Sequence, residues 1–188
     1  MTQIKSEFTC PKCKKKNRFK YNEIVPVNKV KDIYNKNIIK HKCKYCKEEI
    51  MVDQPLLIDT DTYKIVYING CTEVTKDKVD KPTRLCDTYD DFKEKVLIFE
   101  DGLNDLVIEL IKGMLIYKLD EDVRRSVVDI RFDSISDDKL KFFLIGFGKG
   151  IEFPLSVYND MLKRSKIKKI KTMIHVDINN YNKYIKLK

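Results

Sequence analysis

Cys10-Pro11-Lys12-Cys13 and, 29 residues further on, Cys43-Lys44-Tyr45-Cys46 hold four of the six cysteines of the chain. A gap of two residues lets one tight turn aim two sulfurs at a common point. Two such turns close a tetrahedron of thiolates about 2.3 Å from a metal ion. A single Cys-x-x-Cys can serve as a redox pair, but that chemistry has no use for a second pair. The spacing predicts structural zinc held by Cys10, Cys13, Cys43 and Cys46, with rubredoxin-type iron as the other metal the same ligands would take. Four thiolates fill the shell and leave no position for a catalytic water. Phe8-Thr9 reads as the strand leading in, and Pro11 presets φ for the first turn. The residue after such a turn tends to the left-handed conformation. Here it is Lys14 or Lys47, at a cost of about 1–2 kcal/mol each, small against the roughly 10–16 kcal/mol of structural zinc binding. His41, two residues before Cys43, is expected beside the site and not in it. Cys71 and Cys86 lie outside the spacing and read as ordinary buried small residues or, alternatively, as a regulatory thiol pair.

The rest of the chain fits a folded protein around this centre. Its 188 residues, 43% hydrophobic and 36% charged, suffice for one substantial core or two small ones. They are too apolar for a disordered chain and too poor in Gly and Pro for a fibrous one. The longest uncharged apolar stretch runs only from Phe142 to Gly148, far short of the ~18 residues of a spanning helix. No membrane partner is expected. The first residues, Met-Thr-Gln-Ile-Lys-Ser-Glu-Phe, lack an apolar signal core, so the expected location is the cytoplasm, where thiols stay reduced.

The formal charge of +9 is unevenly spread. Residues 1–52 carry 14 basic against 5 acidic side chains, residues 53–138 carry 12 against 21, and residues 162–188 carry 9 against 1. Basic ends about an acidic middle suit nucleic-acid contact. Yet 32 of the 38 basic residues are Lys and only 6 are Arg, and base-reading surfaces lean on the guanidinium fork. Solvated surface charge explains most of the excess.

The residues Phe8 to Cys13, the alternating Phe19 and Tyr21, and His41 to Cys46 together resemble the CpXC domain family. So do Met51 to Tyr67 with Pro55-Leu56-Leu57, and Arg84-Leu85-Cys86 running on to Phe99. The resemblance covers about residues 8–117. It implies metal ligation by Cys10, Cys13, Cys43 and Cys46 and carries no activity with it. The chain departs from the family pattern at Lys44, where Pro is usual, and at Lys14 and Lys47, where Gly is common.

The expected fold is α+β, an N-terminal zinc ribbon with two Cys-x-x-Cys knuckles on β-hairpins, joined to a β-sheet with packed helices. Asn17 to Val27 reads as a long strand, and Leu56–Ile58 with Tyr63–Ile68 as a strand pair. Gly70 to Pro82 is polar and aperiodic, so residues 1–70 and 83–188 are expected as two regions, or as one continuous domain. Tyr89, Phe92, Val96 and Phe99 recur at helical spacing behind Thr88-x-x-Asp91, with Gly102 as the stop, and Leu103 to Met114 forms a second stripe. Val128 to Phe132 alternates, Leu140 to Phe147 is apolar, Ile151 to Phe153 adds a third strand, and Pro154 opens a helix. A strand near Met173–Val176 and a short terminal helix complete the expectation.

No catalytic constellation stands out. His175-x-Asp177 sets an imidazole near a carboxylate, but no nucleophile accompanies it in sequence. Asp90-Asp91, Asp120-Glu121-Asp122 and Asp137-Asp138 read as turns or helix starts, since neighbours i and i+1 point apart. Three classes follow. The first is a zinc-binding scaffold module without catalysis, its partner unnamed, protein or nucleic acid. The second is a nucleic-acid binder, using Lys12, Lys15, Arg18, Lys20, Lys42 and Lys44 beside Phe19, Tyr21 and Tyr45, with a basic C-terminal stretch of Lys163, Arg164, Lys166, Lys168, Lys169 and Lys171. The third is an enzyme or a thiol redox sensor, resting on Cys71, Cys86 or His175.

Overall fold

In a computed structural model the described residues are 3–70, 73 and 77–187. Cys71 therefore lies outside the described residues. Alternation of half-buried and exposed positions makes β1 (Gln3–Thr9) and β2 (Lys16–Asn22), an antiparallel hairpin pairing Thr9 with Lys16 and Gln3 with Asn22. β2 stops at Asn22, short of the sequence expectation of Val27. The chain leaves β1 there because Val25 buries its side chain elsewhere, donating its N–H to Leu57 O at 2.8 Å, while Leu57 N–H reaches Glu23 O. A short helix, α1 (Val30–Tyr34), leads to a second hairpin, β3 (Lys40–Lys42) and β4 (Glu49–Met51).

β5 (Leu56–Asp59) and β6 (Lys64–Tyr67) pair antiparallel as the pattern predicts, and β7 (Thr83–Cys86) joins β6 in parallel. Single bridges widen this sheet at both edges, Ile24 beside Leu57 and Ile174 beside Arg84. α2 (Tyr89–Glu100) begins where Thr88 accepts from the N–H of Asp91 at 3.1 Å and ends at Gly102, whose φ of +67° suits a residue without Cβ. α3 (Asp105–Lys118) is capped by the Asn104 side chain, and α4 (Glu121–Ser126) starts at the acidic run, as a helix start should. β8 (Asp129–Ser136), β9 (Lys139–Ile145) and β10 (Lys149–Pro154) form an antiparallel sheet in the order β10-β9-β8. Asp137 and Asp138, both with positive φ, make the two-residue turn between β8 and β9. α5 (Leu155–Arg164) follows Pro154, and β11 (Ser165–Ile167) pairs with β12 (Ile185–Leu187). Residues 173–176 were expected as a strand. They contribute only the Ile174 bridge, and a single 3-10 turn, Tyr181–Lys183, replaces the expected terminal helix.

Two apolar clusters share α2 between them. Tyr89, Phe92 and Val96 pack with Leu56, Ile58, Ile65, Tyr67, Val25 and Ile33. Leu97 and Ile98, on another side of the helix, join α3, the β8–β10 sheet, α5 and the residues Ile174, Val176 and Ile185. A helix apolar on two sides is a helix enclosed by its neighbours. Among the described residues no helix is long and apolar enough to cross a membrane.

Charged side chains lie between these layers. Arg84 grips Asp105 with two hydrogen bonds of 2.6 and 2.8 Å. Lys95 then meets Glu109 at 2.8 Å, Lys112 meets Glu109 at 3.2 Å and Glu94 at 2.6 Å, and Arg131 meets Glu94 at 3.2 Å and also Asp91. Six of these eight, from Arg84 to Glu94, are buried. Signs alternate along the whole chain, as burial of charge demands. Of these eight, sequence reading singled out only Asp91, with Asp90, as part of a turn or helix start.

Candidate metal centre

Each cysteine pair sits on the loop of a hairpin, the first between β1 and β2, the second between β3 and β4. In each loop the first cysteine's carbonyl accepts from the lysine after the second, Lys14 N–H to Cys10 O at 2.9 Å and Lys47 N–H to Cys43 O at 3.0 Å. Closing those turns puts Lys14 at φ 59° and Lys47 at φ 63°, the left-handed region expected from their positions. The first cysteines, Cys10 and Cys43, are fully buried, and Cys13 and Cys46 partly so.

The two hairpins bring all four sulfurs within 4.8 Å of one another. Cys10 Sγ lies 3.6 Å from Cys46 Sγ and Cys13 Sγ 3.7 Å from Cys43 Sγ. Both contacts cross between the hairpins, and both are too long for a disulfide bond of about 2.05 Å. A tetrahedron with Zn–S bonds of about 2.3 Å has edges of about 3.8 Å, so the two cross-hairpin contacts match the edge length of a four-coordinate thiophilic site.

Backbone and side-chain donors are already aimed at the sulfurs. Cys13 N–H points at Cys10 Sγ at 3.5 Å, and Asn17 Nδ2 donates to Cys43 Sγ at 3.5 Å while its Oδ1 accepts from Lys44 N–H at 2.9 Å. The N–H groups of Cys13 and Lys12 hold the Cys10 thiol below its ordinary value against burial. Those of Cys46 and Tyr45, with the Asn17 amide, bring Cys43 down to about 6. The Glu48 N–H also favours a Cys46 thiolate, but burial and the neighbouring sulfurs outweigh it and push that thiol up to about 11. Four crowded sulfurs cannot all ionise without a cation among them.

Asn17 is the residue sequence reading missed. Its signal was the alternation of β2, which puts it on the same side as Phe19 and Tyr21, where a polar side chain needs a partner. His41 stands apart from the sulfur cluster, its ring packed against Phe19 with centroids 4.0 Å apart and the planes tilted by 49°. The basic and aromatic residues of the hairpin separate by the same alternation. Phe19 and Tyr21 share the side facing His41, and Arg18 and Lys20 are exposed on the other. Lys12 pairs with Glu48 at 2.7 Å, and Lys15 lies over the Tyr45 ring.

The remaining candidates are scattered. Cys86 is buried in β7, and burial pushes its thiol well up. His175 and Asp177 do meet, Nε2 to Oδ2 at 3.2 Å, with Nδ1 3.1 Å from Leu85 O, which fastens the segment to β7. Lys163, Arg164, Lys166, Lys168, Lys169 and Lys171 are all exposed, spread over the end of α5, β11 and the residues after it. Among the described residues an ion pair is seen for Arg164, with Asp160 at 3.0 Å.

A family model described as CpXC protein matches residues 8–112. No curated protein and no solved structure matches the chain. The matched span contains both cysteine loops with all four clustered cysteines, the β5–β7 sheet and α2, and it covers more than half of the chain; the protein belongs to the CpXC family.

Proposed function

We propose that Cys10, Cys13, Cys43 and Cys46 bind one zinc ion in a closed structural site of zinc-ribbon type, and that the protein acts as a binding and scaffold module without catalysis of its own. The observation that carries this reading is the set of cross-hairpin sulfur distances, 3.6 and 3.7 Å, at the edge length of a zinc–thiolate tetrahedron. Such a site uses its binding energy for folding. It ties the two cysteine hairpins into one platform.

Elemental analysis of protein purified under reducing conditions should give one zinc per chain. Cys10→Ser and Cys43→Ser should each lose it and lower the thermal transition. Metal-free protein with an undiminished transition would sink the proposal, and a red protein would assign iron in its place. Alkylation is the complementary measurement. In the metal-loaded protein Cys10 and Cys13 should resist modification, and rapid labelling with metal still bound would mean an open, redox-active site.

A further inference from the structure

The C-terminal basic residues form a shaped surface. β11 and β12 pair in a register that sets Ile167 opposite Ile185 and Lys166 opposite Lys186. Side chains alternate, so the isoleucine pair turns into the larger core cluster and the lysine pair turns outward. Lys168 N–H continues the ladder to Tyr184 O at 2.8 Å, which places Lys168 two residues along from Lys166, on the same outward side. Its Cα then lies about 7 Å from that of Lys166 by strand geometry.

Like charges directly opposite one another destabilise a strand pair. Residues 161–176 contain no acidic side chain, and among the described residues neither these three lysines nor Lys169 and Lys183 come within ion-pair distance of a carboxylate. Lys163 and Arg164 are accounted for by the C-terminal turn of α5, where cations are favoured. The ribbon lysines have no such explanation within the fold. The β1–β2 hairpin also sets Lys5 opposite Lys20, but Glu7 lies on that side, paired with Lys16 at 3.6 Å, and four thiolates about a divalent ion would leave the adjoining centre negative.

We propose that the outward side of the β11–β12 ribbon binds the phosphodiester backbone of nucleic acid through Lys166, Lys168 and Lys186, with Lys169 and Lys183 at its margins. This names a partner for the binding module above and rests on that reading. A duplex offers a phosphate every 3.4 Å or so along each strand, dense enough to meet several closely spaced ammonium groups at once. The surface has point charges and no free guanidinium fork, so it contacts backbone and reads no sequence.

Fluorescence anisotropy of the full chain with a labelled mixed-sequence DNA duplex tests this. Each neutralised phosphate adds about 0.9 to the salt slope, so five contacts predict about a 500-fold loss of affinity between ~50 and ~200 mM salt. Lys166→Gln, Lys168→Gln and Lys186→Gln together should reduce the slope by about 2.7, with thermal transition and metal content unchanged. The three Lys→Arg replacements should preserve binding, and Lys5→Gln with Lys20→Gln should leave the slope as it is. Absence of binding at ~50 mM salt, where such contacts are strong, overturns the proposal. So does a triple Gln variant that binds like the wild type, or loss of binding in the hairpin variant. Displacement of the duplex by polyglutamate as readily as by unlabelled duplex of equal charge would mean an acidic protein partner and would also overturn it. Metal content separates the two readings. Protein that keeps its metal and ignores DNA refutes this inference alone, and metal-free protein whose DNA binding needs the ribbon lysines refutes the zinc site alone.

Discussion

Lys14 and Lys47 hold the left-handed conformation that closes each cysteine turn, with side chains that make it costly. An L-residue with Cβ gives up about 1–2 kcal/mol there, and glycine recovers that at some expense in unfolded-chain entropy. Lys14→Gly with Lys47→Gly should therefore gain about 1 kcal/mol net, and because metal binding and folding are coupled, the gain should appear as metal held about fivefold tighter. Competition with a chelator measures it, and weaker retention would show that the lysine side chains themselves support the turns. The strain was legible in sequence because it follows from position alone. Asn17 was less so. A polar residue on an alternating strand announces that it needs a partner, but the sulfur it meets stands on the second hairpin, 26 residues away in sequence at Cys43.

At the scale of elements, the alternating charges fasten β7 to α3, and α2 to β8. Arg84 is the test case because it is buried against Asp105 with two short hydrogen bonds. Arg84→Met leaves the Asp105 carboxylate buried with only the more distant Lys95, at 3.7 Å, and should cost about 3–5 kcal/mol in urea denaturation. Arg84→Met with Asp105→Leu should recover most of the loss, since replacing both charges removes the unpaired one. A single variant as stable as the wild type would mean the pair adds nothing. α2 and α3 were readable from apolar spacing, and β8 from alternation. β7 was not, because all four of its residues are buried, which erases the period-2 signal, and one of them is an arginine. β11 and β12 escaped for the opposite reason. Three-residue strands carrying Lys166 and Lys186 look like solvated loop until their register is seen. Glu94, Lys95, Asp105, Glu109 and Lys112 were hidden because each is neutralised by a residue on another element, and a charge reads as exposed until its counter-charge is located.

For the whole molecule, these pairs set the response to acid. Against burial, Arg84 and Lys95 hold Asp105 down to about 2, and Arg131 holds Asp91 down to about 2, from an ordinary 3.8. A carboxyl with a depressed folded-state value contributes stability that is fully present above its unfolded value and is lost as pH falls through the folded one. Stability should hold down to about pH 4 and fall steeply between about pH 4 and 2. Urea midpoints at a series of pH values check this, and Asp105→Asn with Asp91→Asn should flatten the fall. A midpoint insensitive to pH across that window would contradict the assignment.

The segment that completes the β5–β7 sheet lies far along the chain from the strand it joins, for His175 is 90 residues from Leu85. A ribosome adding roughly 5–20 residues per second needs about 5–18 seconds to cross that interval. The cysteine hairpins will have emerged and can take up metal long before then. Meanwhile the open edge of β7, with Leu85 N–H unpaired until Ile174 O arrives, is a nascent-chain liability of the kind that invites mispairing. Slow translation through residues 86–174 would lengthen that exposure and lower the yield of native protein, while leaving the finished molecule's stability untouched.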